Sequence, residues 1–369
     1  MIKQLSLRNF TVFKEADLTF SPGLNVIIGE NGTGKTHLLK LGYIFSNAWH
    51  TLVKNQSLVS DQKVERYFSE RLQNIFKPDK VGNLTTTGSD GKSNVSTLVS
   101  GSIPTVLIRM PNEPETQSLP DEIKWEFSFS NRSIDNVVLQ ERLTRNAIYG
   151  KGLYIPSKEM LSFFEGFLAS YEKREFQFDE TFRDLALNLL TTKLKKPPEF
   201  IKLGLNNLAD DVGGALKLEG GKFYLVSSGS KSREITLIAE GIRKIATLLY
   251  LLENGSLEVG DTLFWDEPES NLNPKLIKDV AVAIYFLCQN GIQVVIATHS
   301  YFLLKEFDLL SRSEKNSPQI TYFGLTKSDD GVIIEQGDKF QVLSTLVALD
   351  EELAQYDREQ ALYYQTNRD

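Results

Sequence analysis

Apolar residues recur along this chain at two different spacings, which predict strands and helices in different places. Alternating apolar and polar positions over residues 2–20 predict two half-buried strands. Residues 24–28 form a largely apolar run, which predicts a strand covered on both faces, and residues 37–45 continue at helical spacing. The last third alternates in the same way, with helices predicted at 237–252 and 274–289 and buried strands at 262–265 and 294–297. This alternation is typical of an α/β domain.

The stretch from about residue 50 to residue 230 is less regular. Residues 79–102 are rich in Gly, Ser, Thr, Asn and Asp, which predicts a mobile loop. Strand-like runs at 105–108, 125–129 and 137–139 follow one another without helices between them, which predicts an antiparallel sheet. Residues 158–195 have helical spacing with a stripe of aromatic side chains, for which core packing is the favoured explanation. A charged helix is predicted at 345–364.

Composition narrows the kind of protein. The chain has 369 residues, 41% of them hydrophobic, which is enough for a sizeable core. Its net charge of −7 argues against a nucleic-acid binder of the basic-patch kind, although a local patch remains compatible with that average. The sequence has neither an apolar run long enough to span a bilayer nor the apolar segment of a signal peptide at its start. With a single cysteine, Cys288, we expect a cytoplasmic protein that does not act on membranes.

A glycine-rich loop follows the first buried strand and satisfies the pattern G-x-x-x-x-G-K-[ST]. Its residues are Gly29, Glu30, Asn31, Gly32, Thr33, Gly34, Lys35 and Thr36. The glycines let the backbone bend so that successive N–H groups point inward and bind an anion. The first turn of the following helix, which includes His37, presents its own N–H groups to the same anion. Lys35 is predicted to reach the β- and γ-phosphates of ATP, and the Thr36 hydroxyl to bind Mg²⁺.

Acidic residues end the strand predicted at 262–265. Asp266 and Glu267 stand at the carboxyl end of that strand, where α/β sheets bind ligands. Asp266 is predicted to hold Mg²⁺ through water, and Glu267 to orient or deprotonate the water that attacks ATP. His299 follows the next buried strand and is predicted to contact the γ-phosphate. Its neighbour Ser300 is not a hydrolase nucleophile, because no strained G-x-S-x-G turn surrounds it.

Together these segments resemble the ABC-ATPase superfamily, and within it the stand-alone ATPases related to the ATPase half of OLD-family nucleases, RecF and SMC heads. The resemblance rests on residues 29–36, 264–274 and 297–300 and covers roughly a third of the chain. It implies a P-loop fold of the ABC type: α/β, with a mixed sheet, an antiparallel β subdomain and a helical insertion. The implied division is a discontinuous core at 1–50 and 225–344, an insertion at 51–224 and a helical tail at 345–369.

The resemblance also implies that two copies dimerise face to face with two ATP molecules trapped between them, or form a higher oligomer. Asn271 would then lie in the D-loop that crosses the interface, and His299 would be the switch histidine. Gly241 would be the glycine of the signature loop that binds the partner's nucleotide. Ala239 stands where the family usually has a serine, and residues 227–230 could supply that hydroxyl instead. The Q-loop falls either at Gln140 or at residues 157–159.

These features predict an enzyme, a Mg²⁺-dependent ATPase that acts as a dimeric switch. Residues after His299 lack the strand-borne acidic pattern of a Toprim nuclease domain, so a separate nuclease or toxin is the expected effector. Anti-phage defence is a hypothesis that rests on the resemblance. Two alternatives are a scaffold that binds ATP without hydrolysing it and a RecF- or SMC-like DNA-repair ATPase, which leaves nucleic acid open as a partner.

Overall fold

The computed structural model describes residues 1–53, 60–88, 91–100, 122–143, 150–173, 177–197, 205–227, 232–313 and 317–343, with short stretches at 354–355, 357–360 and 363. Its strands are β1 (Ile2–Phe10), β2 (Phe13–Thr19), β3 (Leu24–Gly29), β4 (Lys92–Ser100), β5 (Glu122–Ser130), β6 (Val138–Leu143), β7 (Gly152–Ile155), β8 (Ala215–Glu219), β9 (Lys222–Val226), β10 (Arg233–Glu234), β11 (Thr262–Asp266), β12 (Gln293–Thr298), β13 (Ile320–Ser328) and β14 (Gly331–Gly337). Its helices are α1 (Lys35–Val53), α2 (Asp61–Phe76), α3 (Phe167–Glu172), α4 (Glu180–Leu189), α5 (Asn206–Val212), α6 (Glu240–Glu253), α7 (Pro274–Gln289) and α8 (Tyr301–Ser313).

The central sheet has six strands in the order β14-β13-β3-β12-β11-β7. All run parallel except β14, which pairs antiparallel with β13. The strands β3, β11 and β12 are almost wholly buried because helices pack on both faces. Val26 contributes to the core that contains Ile284 of α7, whereas the adjacent Ile27 contributes to the core that contains Leu41 of α1. This alternation confirms the predicted α/β domain and its buried strands.

A second, antiparallel sheet has the order β2-β1-β4-β5-β6. It confirms the predicted antiparallel sheet and includes the two strands at the start of the chain. Helix α2 packs on it, with the rings of Phe68 and Phe127 4.9 Å apart between centroids. A small third sheet has the order β10-β9-β8. The predicted strand at 105–108 lies outside the described residues.

The predicted mobile loop at 79–102 is wrong for most of its length. Val81–Leu84 form a 3-10 turn, and Lys92–Ser100 form β4, which pairs with both β1 and β5. Alternate residues of β4, among them Val95 and Val99, are buried. Short polar residues favour turns in isolation, but pairing on both sides and burial of one face outweigh that preference here.

Two predicted helices are shorter in the structure than the pattern indicated. Residues 158–195 contain a short 3-10 turn followed by two separate helices, α3 and α4, whose N-cap residues are Gly166 and Asp179. The aromatic stripe does pack together as predicted, since Phe163 lies 5.0 Å from Phe178 between ring centroids. Helix α6 begins at Glu240 because residues 235–237 form a 3-10 turn and the next two residues are extended. The predicted tail helix lies mostly outside the described residues.

Strands from the two sides of the predicted domain boundaries pair with each other. Strand β7, from the predicted insertion at 51–224, pairs with β11, and β1 pairs with β4, so strands on both sides of the predicted boundaries share sheets. The division at residues 50 and 225 stays a prediction.

Among the described helices, none combines the length and apolar character needed to cross a bilayer.

Candidate nucleotide-binding site

The predicted site residues meet at one edge of the central sheet. Ile296 of β12 pairs with Val26 of β3 on one side and with Trp265 of β11 on the other, so the carboxyl ends of the three strands lie side by side. The glycine-rich loop follows β3, Asp266 ends β11 and Thr298 ends β12. This is the edge at which α/β sheets bind ligands.

The loop between β3 and α1 has the backbone geometry of an anion-binding nest. Gly32 and Gly34 have φ angles of 80° and 89°, a left-handed conformation that residues with a Cβ rarely adopt. A Cβ at Gly34 would lie 2.7 Å from Val12 Cγ2 and 2.7 Å from Phe13 Cζ, because the loop packs against the turn between β1 and β2. Helix α1 begins directly after this loop, and the first N–H groups of an α-helix have no partner within the helix. The loop therefore has the conformation that phosphate binding requires.

Lys35 and Thr33 hold the loop through its carbonyl groups. Lys35 Nζ donates to Gly29 O at 2.7 Å and to Glu30 O at 2.9 Å, and Thr33 Oγ1 donates to Glu30 O at 2.8 Å. Burial lowers the pKa of Lys35, against the opposing field of nearby carboxylates. Asn31 is exposed at the tip of the loop. A phosphate here would offer Lys35 charge-assisted hydrogen bonds, which are stronger than its bonds to neutral carbonyls.

Thr36 and Asp266, the two predicted metal ligands, contact each other. Thr36 Oγ1 donates to Asp266 Oδ2 at 2.9 Å, and the Tyr154 hydroxyl donates to the same oxygen at 3.4 Å. Burial raises the pKa of Asp266, and the hydrogen bond from Thr36 opposes that rise. In the described part of the chain, no group of three or more His, Cys, Asp or Glu side chains is placed to hold a metal. The hydroxyl and carboxylate oxygens fit Mg²⁺, which usually binds few protein ligands together with water and substrate phosphates.

Glu267 and His299 face each other across the ends of β11 and β12. His299 Nδ1 lies 3.5 Å from Glu267 Oε1, with the side chains 55% and 31% exposed, so water can reach both. Glu267 has a φ of 48°, unusual for a residue other than glycine, and its N–H donates to Ala297 O at 2.9 Å. Water can therefore contact the Glu267 carboxylate at this edge, and its role as the base that activates water stays a prediction.

Glu269 holds the backbone of His299. Its carboxylate is buried, and Oε1 accepts a 2.6 Å hydrogen bond from Thr298 Oγ1 and a 3.3 Å hydrogen bond from His299 N. Thr298 Oγ1 in turn accepts a hydrogen bond from Ser300 N at 3.0 Å. This network fixes the end of β12 relative to the segment after β11.

Asn271 and Gly241, predicted to contact nucleotide, contact each other within this chain. Asn271 has a φ of 63°, and its Nδ2 donates to Glu240 Oε1 at 2.9 Å. A Cβ at Gly241 would lie 2.7 Å from Asn271 O and 2.6 Å from Leu272 Cδ2. The predicted signature glycine therefore packs against the predicted D-loop of its own chain, and contact with a partner's nucleotide stays a prediction.

The side chain of His37 turns away from the loop. Its Nδ1 lies 3.0 Å from Thr11 Oγ1, and its ring meets Phe76 edge-on at 5.4 Å between centroids. Burial, followed by the charge of Lys40, lowers the pKa of His37 to about 4. A contact between His37 and a nucleotide would therefore involve its main-chain N–H, and that contact stays a prediction.

The two candidate Q-loop positions lie in different sheets. Gln140 is in β6, an edge strand of the antiparallel sheet, where its Nε2 donates to Val138 O at 3.3 Å. Residues 157–159 follow β7, which neighbours β11 in the central sheet. Glu159 in that segment forms a buried ion pair with Arg243 of α6 at 2.7 Å. Residues 157–159 therefore lie at the same edge as Asp266, and the position of the Q-loop stays a prediction.

Two residues at the site had no role assigned from the sequence. Tyr154 precedes the end of β7 and bonds to Asp266, and Lys244 lies on α6 and bonds to the segment after β11. A weak sequence signal existed for Lys244, because it falls on the apolar stripe of α6 at helical spacing from Gly241 and Leu248. The tyrosine gave no signal, since it lies within an apolar run.

The phosphate loop follows β3 and the acidic pair lies at the end of β11, two parallel strands that both flank β12. The chain has the α/β fold of an SMC head. A family model described as "AAA domain, putative AbiEii toxin, Type IV TA system" matches residues 24–305, and the chain belongs to this family.

The chain is similar to known proteins either in sequence over short segments or in fold. The DNA replication and repair protein RecF of Renibacterium salmoninarum is 44% identical over 59 residues, which are 16% of this chain and 15% of RecF. RecF of Streptococcus uberis is 36% identical over 80 residues, 22% of this chain and 21% of RecF. The chain therefore matches about a fifth or less of the length of these relatives. The crystal structure of an SMC head bound to the C-winged helix domain of ScpA covers 93% of this chain and 99% of that one, with a TM-score of 0.53 at 14% identity, a likeness of fold alone.

Proposed function

We propose that this protein is a Mg²⁺-dependent ATPase whose dimer opens and closes as ATP is bound and hydrolysed. The observation that carries the proposal is the hydrogen bond from Thr36 Oγ1 to Asp266 Oδ2, which joins the phosphate loop to the acidic strand end. Glu267 follows directly, with His299 3.5 Å from its carboxylate. A scaffold that never hydrolyses ATP has no need of this carboxylate and histidine pair.

Each residue has a separate task in this proposal. Lys35 and the N–H groups of the loop bind the phosphates, and Thr36 and Asp266 hold Mg²⁺. Bound Mg²⁺–ATP supplies an electrophilic phosphoryl group and a cation that neutralises developing charge. Glu267 orients a water molecule and accepts its proton, and His299 stabilises the phosphoryl oxygens. Closure around ATP would exclude bulk water and strengthen these contacts.

Exposed apolar residues beside the site support a homodimer, or a higher oligomer built on it. Leu237, just before α6, is 79% exposed, and Phe302, in the first turn of α8 after His299, is 41% exposed. Large apolar side chains at such positions favour burial against another protein surface. A face-to-face dimer with ATP between the two copies would cover both.

The switch would act on a separate effector protein, a nuclease or toxin, in defence against phage. The family description links the matched domain to a "putative AbiEii toxin, Type IV TA system". The separate effector and the defence role rest on the resemblance to stand-alone ATPases related to OLD-family nucleases. Co-purification with the product of the neighbouring gene, with ATP and without it, tests the coupling. Absence of association in both states would contradict a partner encoded there.

Steady-state ATP hydrolysis by the native chain tests the ATPase itself. We expect turnover that requires Mg²⁺ and disappears in Glu267→Gln, while that variant still binds ATP and accumulates as a dimer. Lys35→Ala is the control for loss of binding. Bound ATP with no turnover in the native chain would instead favour the non-hydrolysing scaffold.

A second candidate is an ATPase that acts on DNA, which the local similarity to RecF supports. Its test is binding of a fluorescent DNA duplex at two salt concentrations, with ATP and without. Binding that strengthens with ATP and weakens steeply with salt would support this role, because phosphate contacts release counterions. Equal, weak binding in all four conditions would count against it.

A further inference from the structure

Lys244 is a buried lysine that has no assigned role in the proposed ATP hydrolysis. It lies on α6 with 1% of its surface exposed, on the same helix face as the buried Gly241 and Leu248. Lysine is almost never fully buried unless its charge has partners. Its place on an apolar stripe therefore calls for a specific set of contacts.

The ammonium group of Lys244 binds the turn that carries Glu267. Its Nζ donates to Glu267 O at 2.9 Å, to Ser270 O at 3.5 Å and to the Ser270 hydroxyl in a closer contact. Burial lowers the pKa of Lys244, and the nearby charge of Glu269 is the largest influence in the opposite direction. One buried cation thus binds both ends of the four-residue turn after β11.

Two further contacts join the start of α6 to the same segment. Glu240 Oε1 accepts a 2.9 Å hydrogen bond from Asn271 Nδ2. Gly241 approaches so closely that a Cβ there would lie 2.7 Å from Asn271 O. The first turn of α6 and residues 267–271 therefore form one packed unit.

The backbone of this segment is in a conformation that needs support. Glu267 and Asn271 have φ angles of 48° and 63°, in the left-handed region that disfavours residues with a Cβ. Such conformations persist only when the surroundings hold them. The Lys244 ammonium bonds to the carbonyl oxygen of Glu267 itself, so it holds the residue whose carboxylate faces His299.

We propose that Lys244 is a positioning residue, which holds Glu267 in the conformation that activates water and connects the start of α6 to that carboxylate. The inference rests on the proposed ATPase function. Because α6 begins at the predicted signature loop, contact of that loop with a partner copy would reach the catalytic glutamate through the carbonyls of Glu267 and Ser270. In this way dimer formation at one surface would set the geometry of hydrolysis in the same chain.

The test compares Lys244→Met with Lys275→Met, which makes the same change on an exposed lysine of α7. Methionine keeps the length and apolar stem of Lys244 but leaves the Glu267 and Ser270 carbonyls without this donor, which can destabilise the fold, so circular dichroism first checks that the variant is folded. Lys275 lies close to the same segment in sequence, but its side chain is 74% exposed and bridges Asp211 at 2.7 Å. Hydrogen exchange of residues 267–273 is measured without nucleotide, and kcat and KM for ATP are measured with Mg²⁺.

We expect faster exchange of residues 267–273 in Lys244→Met, a kcat lowered about a hundredfold by the misplaced carboxylate, and a KM changed by less than about threefold. Lys244→Arg should recover part of the kcat because it restores donors. Lys275→Met should match the native chain in both measurements. Exchange and kcat equal to those of Lys275→Met would overturn the proposal, as would a loss confined to ATP binding. If the native chain shows no turnover, the ATPase proposal fails, while the exchange comparison still decides whether Lys244 holds the segment.

Discussion

Thr36 and Asp266 stand 230 positions apart in the chain, yet their side chains share a 2.9 Å hydrogen bond. The bond joins the first turn of α1 to the end of β11, the two elements that we propose hold Mg²⁺ between them. Tyr154 approaches the same carboxylate oxygen from β7 at 3.4 Å. Three segments, distant in sequence, therefore meet at a single buried carboxylate.

Replacement of Thr36 by valine should separate nucleotide binding from metal binding. Valine preserves the shape but removes the hydroxyl, so Mg²⁺ loses one protein ligand while the phosphate loop stays intact. We expect the Kd of Thr36→Val for ATP to be the same with Mg²⁺ and with EDTA, whereas the native chain binds more tightly with Mg²⁺. Titration calorimetry under both conditions measures this, and a variant that keeps the full response to Mg²⁺ would contradict the assignment.

Because of His37, we expect the free energy of unfolding to decrease at mildly acidic pH. Its pKa is lowered from 6.5 to about 4 by burial, so between these values the unfolded chain binds a proton there that the folded chain does not. The free energy of unfolding therefore decreases as pH falls, by about 2 kcal/mol from this group between pH 7 and pH 5. Urea denaturation of the native chain and His37→Gln at both pH values isolates this effect. An equal pH response in the two proteins would show that His37 is not the source.

Replacement of Ala239 by serine should stabilise the folded protein. It occupies the N-cap position of α6 with φ −56° and ψ 141°, and its methyl side chain makes no capping hydrogen bond. Serine in this position can accept a hydrogen bond from the first turn, which is worth about 1 kcal/mol. We expect Ala239→Ser to raise the urea midpoint at an unchanged m-value. A midpoint equal to or below the native one would indicate that the hydroxyl cannot reach the helix N–H groups.

The proposed dimer face can be tested with a matched pair of substitutions. Leu237, beside the site, is 79% exposed, and Val259, before the amino end of β11, is 61% exposed. Aspartate at Leu237 would introduce charge into an interface, whereas at Val259 it would remain in water. In the Glu267→Gln background, we expect Leu237→Asp to abolish ATP-dependent dimers in light scattering and Val259→Asp to leave them unchanged. Dimers that survive Leu237→Asp would place the interface elsewhere.

Much of the site could be predicted because its requirements are local. The loop from Gly29 to Thr36 must bend tightly and face a helix N-terminus, and both conditions are met by residue types within one short segment. The buried strands that end at Asp266 and Thr298 were equally evident, because strands covered on both faces are apolar throughout. The sequence by itself therefore determined the phosphate loop, the acidic strand end and the α/β class.

Other features depended on which distant segments became neighbours. Residues 92–100 have the composition of a loop and became a strand only through pairing with β1 and β5. His37 is next to the phosphate loop in sequence, but packing against Thr11 and Phe76 turned its side chain elsewhere. Lys244 acquired its contacts with Glu267 and Ser270 because α6 packs beside the end of β11. Only the tertiary structure decided these, since hydrogen bonds and burial between distant segments outweigh the local preferences visible in a sequence.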